Sequence, residues 1–127
     1  MRRWEEDRTW LYLGLAIRVA TDLNLHHQVT IRPRNEMHAR ELLNRTRVWI
    51  NCYNLERSTS SWLGKRSTIP PNDFVGSHAQ DWYDSSEFNM ENFDIHLAGY
   101  NTALRLLEEF KRKIYTDPNN PTGMDKV

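Results

Sequence analysis

An all-α fold built on three long helices is what this sequence predicts. Three observations lead there. Large apolar residues recur at spacings near 3.6 in three separate windows, and no segment sustains the period-two alternation of a half-buried strand. Each window also closes on a residue that stops helices: Asn24, Gly64 and Pro118. The 127 residues suffice for one domain with a single core, and five Trp, five Tyr and four Phe supply the area to bury in it.

The first predicted helix spans 3–23. Its stripe is Trp4, Leu11, Leu15, Val19 and Leu23, with Tyr12, Ala16 and Ala20 beside it. Asn24 stands where a left-handed residue closes a helix, and His26 follows within reach of the last carbonyls. Gly14 lies mid-helix, where glycine costs about 1 kcal/mol relative to alanine. Close approach of a second helix, beside Ala16 and Ala20, is the expected compensation; a ligand contact is the alternative.

A connector with Pro33 leads to Asn35, an N-cap residue with Glu36 in the first turn, and so to a second helix over 36–62. Its predicted inward face carries Leu42, Trp49, Cys52, Tyr53 and Glu56, flanked by Leu43 and Ile50. Residues 64–90 read as loop, because Pro70-Pro71 bars a helix and Asp, Asn, Gly and Ser punctuate the rest. A third helix over 91–115 carries Phe93, Leu97, Tyr100, Leu104, Leu107, Phe110 and Ile114. Beyond it, Asp117-Pro118-Asn119-Asn120-Pro121 predicts a frayed tail over 117–127.

Charge sums to zero but is unevenly placed. Residues 1–66 hold 12 Lys/Arg against 7 Asp/Glu, and residues 67–127 hold 5 against 10. The basic excess is scattered, so it makes no nucleic-acid footprint. No apolar run has the length of a membrane span, and the charged start lacks the apolar stretch of a secretory signal. One cysteine, Cys52, makes neither an internal disulfide nor a thiolate zinc site, and fits a reducing compartment. His26, His27 and His38 lack the spacing of metal ligands. No nucleophile elbow, phosphate-binding loop or paired Cys and His emerges, so no catalytic residue is assigned.

Arg18, Asp22, Arg47, Glu56 and Arg57 are charges set among apolar positions. Such charges are tolerated inside only when paired. The expected arrangement is an ion network fixing how the first two helices cross, with Asp22 and Glu56 as the carboxylates that meet Arg18 and Arg57. An anion or effector site on the arginines is the alternative. Residues 73–94 hold six acidic and five aromatic residues with no Lys or Arg. That composition suits a loop covering the core, and also a coactivator-docking segment.

Two blocks carry a more specific signal. In the first, Trp10, Gly14, Ala16, Arg18 and Ala20 lead into Leu23-Asn24-Leu25-His26. This resembles the W-x-x-x-G-x-A-x-R-x-A-x-x-L-G-L-H signature of the fungal-specific transcription factor domain, the middle homology or xylanolytic-activator regulatory domain. In the second, Arg45, Arg47, Trp49, Ile50, Tyr53, Glu56 and Arg57 precede Gly64-Lys65-Arg66 and Ile69. This resembles the R-x-R-x-W-W-x-x-Y-x-x-D-R and G-R-P-x-x-I of the same family. The matching span is about 4–75. Asn24 stands for the family Gly, Ile50 for the second Trp, Glu56 for Asp and Arg66 for Pro.

The resemblance implies a helical regulatory domain over 1–116, part of a larger array of helices. It implies a nuclear location and a role in RNA polymerase II transcription. In such proteins a separate six-cysteine zinc cluster grips DNA. This chain holds no such cluster, so it is expected to bind neither zinc nor specific DNA by itself. Its expected partners are proteins: the rest of the regulatory domain, a coactivator or a dimer partner. The residues the resemblance singles out are Gly14, Arg18, Asp22, Arg47, Trp49, Tyr53, Glu56, Arg57 and Gly64. A helical interaction scaffold without a transcriptional role is the alternative reading, and an enzyme the least supported.

Overall fold

The computed structural model describes residues 3–115, so the tail expected over 117–127 lies outside the described residues. Five helices run in order: α1 (Arg3–Asp22), α2 (Glu36–Leu63), α3 (Phe74–Ser77), α4 (Ala79–Trp82) and α5 (Glu91–Tyr115). No strand occurs among the described residues. α2 is the hub, in contact with α1, α3 and α5, and α4 packs on α5.

The helix ends follow from their residues. α1 and α2 both close in the Schellman pattern, with a left-handed residue after the last turn. Asn24 has φ 60°, the Asn24 N–H donates to Thr21 O at 2.9 Å and the Leu25 N–H to Ala20 O at 3.0 Å. Gly64 has φ 69°, and the Lys65 N–H donates to Ser60 O at 2.8 Å. Asn24 therefore serves as the family glycine does, because asparagine tolerates this conformation better than other side-chain-bearing residues. His26 does not cap α1. Arg45 does, its Nη2 donating to Leu23 O at 3.0 Å, while His26 packs on Trp49. At the start of α2 the Asn35 side chain accepts the His38 N–H at 2.8 Å.

The core gathers Ala20, Trp49, Ile50, Tyr53, Ile69, Val75, Ala79, Leu97 and Ala98. The 64–90 segment departs from a plain loop. Asp73 caps α3 by accepting the Gly76 N–H at 2.9 Å, and α3 and α4 bring Val75 and Ala79 into the core. Asp73, one of the punctuating residues, thus starts a short helical turn instead of preventing one. Trp82 and Tyr83 lie against the same core, while Asp81, Asp84 and Glu87 stay exposed.

Two further departures concern the outer helices. The α1 stripe Trp4, Leu11, Leu15, Val19 and Leu23 faces solvent, and α1 meets α2 through Ala20 and half-buried Ile17 instead. A helix with one long neighbour buries one narrow strip, and here the strip with the small residue wins because it allows close approach. Gly14 is not that approach. A Cβ built there meets nothing within 4 Å. On α5, Phe93, Tyr100, Leu107 and Phe110 are exposed, whereas Leu97, Ala98, Asp94 and Asn101 are buried.

Candidate functional site

The residues that α2 turns inward form a row of polar fastenings along its length. At its middle, Arg47 grips Asp94 of α5 with two bonds, Nε to Oδ1 at 2.7 Å and Nη2 to Oδ2 at 2.9 Å. Asp94 is fully buried and also accepts from Asn89 Nδ2 and the Met90 N–H, both at 2.9 Å. Burial works to raise the Asp94 carboxyl, but the bonds from Arg47, Asn89 and Met90 outweigh it and hold the group below the usual carboxylate range. The Arg47 guanidinium lies over the Trp82 ring at 5.5 Å, which ties α4 to the same point.

About two and three turns further on, Asn54 and Arg57 continue the row. Asn101 of α5 donates from Nδ2 to Asn54 Oδ1 at 2.9 Å and to Gly76 O at 2.7 Å. Gly76 passes so close to Tyr53 that an added Cβ would overlap the ring. Arg57 Nη1 donates to Glu108 of α5 at 2.8 Å, and its Nη2 to Ile69 O at 2.6 Å.

Further residues of α2 hold the connector 67–73. Glu56, 1% exposed, accepts from Ser67 Oγ at 2.6 Å and from the Thr68 N–H at 2.8 Å. Trp49 Nε1 donates to Asp73 Oδ2 at 2.7 Å, which orients the same carboxylate that caps α3. The Tyr53 hydroxyl donates to Pro71 O at 3.3 Å; burial pushes it up against the pull of Arg57, so the donated proton stays in place.

Arg47, Trp49, Tyr53, Glu56 and Arg57 are thus brought together, and Gly64 ends the helix that carries them. Arg18 and Asp22 stand apart. They pair at 3.4 Å on the outside of α1 with 77% and 65% of their side chains exposed, and Gly14 is exposed on the same helix. The ion network therefore does not set the α1–α2 crossing. Arg57 meets Glu108 and not Glu56, because Glu56 points to the connector and α5 supplies the nearer carboxylate. Asp73, Gly76, Asp94, Asn101 and Glu108 were not singled out from sequence. Asp73 followed by Gly76 is a legible N-cap pattern, but the α5 partners carry no local signal.

Among the described residues no group of three or more His, Cys, Asp or Glu side chains is placed to hold a metal. A zinc cluster of thiolates does not fit the donor set, since Cys52 is the one thiol and burial raises it. No described helix is long and apolar enough to cross a membrane.

Residues 4–75 match the family described as fungal specific transcription factor domain. The chain belongs to this family. Among curated proteins it is similar to protein priB of Lentinula edodes, with 28% identity over 112 residues, 84% of this chain and 20% of that protein. It is 31% identical over 83 residues to the negative regulator of pleiotropic drug resistance STB5 of Candida glabrata, covering 65% of this chain and 8% of that protein. The C6 finger domain transcription factor hasF of Aspergillus fumigatus is 29% identical over 74 residues, 58% of this chain and 10% of that protein. The chain therefore spans a fifth or less of the length of these relatives. No solved structure matches it significantly. The family signature and the row of fastenings coincide: of the second block, Arg45, Arg47, Trp49, Tyr53, Glu56 and Arg57 each make a bond that positions another segment.

Proposed function

We propose that this chain is the regulatory, non-DNA-contacting part of a zinc-cluster transcription factor that acts on RNA polymerase II transcription in the nucleus. The observation that carries the reading is how the signature is used. Arg47 and Arg57, the arginines of the motif buried on α2, are committed to internal partners and do not form a row of free cations along a nucleic-acid backbone. Large apolar side chains instead face out on α1 and α5, as suits a surface that packs against protein. DNA contact falls to a separate cysteine-rich module, and the helices supply a framework for further helices of the regulatory domain or for a coactivator.

The test has two arms. In gel-shift titrations at physiological salt the chain should show only non-specific association, weaker than about 1 μM. Fused to an unrelated DNA-binding module in a fungal cell, it should alter a reporter gene, and Leu11→Asp with Leu15→Asp should reduce that effect. Sequence-specific, sub-micromolar DNA binding, or a fusion with no effect on the reporter, contradicts the reading.

A further inference from the structure

A cavity of about 280 Å³ opens between the last turn of α2 and the second half of α5. It lies beyond Arg57, where Ser67 at the start of the connector also reaches its wall. Arg57, Lys65 and Lys111 line it with Ser60, Ser61 and Glu108, so three cations face one carboxylate in a chain whose charge is balanced.

The groups are incompletely paired. Arg57 is 7% exposed, and its Nε is buried with no hydrogen-bond partner. Glu108, the one acid in the lining, takes a single bond from Nη1 and is half exposed. Lys111 Nζ donates to Ser61 Oγ at 2.6 Å and meets no carboxylate among the described residues. Since the Ser61 hydroxyl accepts there, its own proton is left to donate. The Lys65 ammonium makes no hydrogen bond or ion pair among the described residues. Two of the four carbonyls that end α2 are occupied, Ser60 O by the Lys65 N–H and Ser61 O by the Gly64 N–H, which reduces their repulsion of an incoming anion.

From this we infer that the cavity is a binding site for a small doubly charged oxyanion, a phosphate monoester or a dicarboxylate, held by Lys65, Lys111 and the Ser61 hydroxyl. Such a ligand bridges the α2 terminus to α5 and supplies the charge that Glu108 alone does not balance. The site does not depend on the transcriptional reading, since it rests on the cavity and its charges.

Isothermal titration of the intact chain at physiological ionic strength, with inorganic phosphate in one arm and succinate in the other, tests this. Saturable binding of either is expected. Phosphate alone identifies a phosphoryl ligand, succinate alone a dicarboxylate, and both the shared oxyanion chemistry. Lys65→Gln and Lys111→Gln should each weaken binding roughly tenfold, as loss of a charge-assisted hydrogen bond implies. Both lysines are exposed, so the fold should survive, which a thermal melt checks. Lys113→Gln, on the same helix but paired with Glu109, should bind as the parent does. No saturable binding in either arm, equal binding by the Lys65 and Lys111 variants, or an equal loss in Lys113→Gln overturns the inference.

Discussion

α1 and α5 flank the same central helix but are attached to it by different physics. α5 is held by directional pairs: Arg47–Asp94, Asn54–Asn101 and Arg57–Glu108 each require one register and one orientation. α1 is held by Ala20, Ile17, the turn at Leu25 and a single bond from Arg45 to its C-terminal end. Apolar contacts of this kind are additive and tolerant of small shifts. Specification of geometry is thus concentrated on the α5 side, whereas the α1 side depends more on adhesion. Both helices leave apolar residues outside, but α5 does so because polar residues occupy its inward positions, and α1 because it has one long neighbour.

The largest effect that should separate the two junctions is removal of one partner of the buried pair. Arg47→Ala or Asp94→Ala should cost about 3–5 kcal/mol, since each leaves a buried charge without its counterpart. Chemical denaturation reads this directly. A loss below about 1 kcal/mol would place this pair with surface salt bridges and erase the contrast.

A second effect is of pH. Asp94 has a folded pKa below its unfolded one, so its contribution to stability is present above the ordinary carboxylate range. That contribution is lost as pH falls through the depressed folded value. Melting temperature should therefore drop on acidification below about pH 4, and Asp94→Asn should flatten that acid limb while already being less stable at neutral pH. Equal acid limbs in parent and variant would remove Asp94 from this role.

Gly76 offers a smaller, steric test. Its backbone lies against the Tyr53 ring and its carbonyl accepts from Asn101, so Gly76→Ala should cost about 1–3 kcal/mol by overpacking. Gly14→Ala, at an open helical site, should instead be stabilising by up to about 1 kcal/mol. Opposite signs for two glycine-to-alanine changes, seen in one pair of thermal melts, would sharpen the comparison between the junction side and the open side. The smallest effect belongs to Arg18→Ala. Its ion pair is an exposed i,i+4 contact, and a change of under about 0.5 kcal/mol is expected.

Much of the fold was legible because local rules decided it. Asn35, Asn24 and Gly64 bound the first two long helices as capping chemistry requires, and Trp49, Ile50 and Tyr53 occupy the inward face that their spacing indicated. What was not legible depends on which helix lies beside which. Periodicity marks an apolar stripe but not whether a neighbour covers it, so Leu11, Leu15 and Tyr100 fall on periodic stripes and yet are exposed. The same holds for partners. Asp22 and Glu56 are the carboxylates that the first two helices offer to Arg18 and Arg57, yet the partner of Arg57 is Glu108, 51 positions away on α5. The charges among apolar positions did reveal that α2 carries polar fastenings. Their partners, Asp94 and Asn101, sit in a helix whose apolar stripe drew attention to its other face.

Signature residues of α2 fasten α5 through specific pairs, and a double-mutant cycle on Arg47 and Asp94 tests this most directly. Unfolding free energies of the parent, Arg47→Met, Asp94→Leu and the double variant give the coupling between the two side chains. A coupling of about 2–3 kcal/mol is expected, with the double variant more stable than the sum of the single losses implies. A coupling below about 0.5 kcal/mol would show that the two residues act independently, and that α5 is held by burial alone.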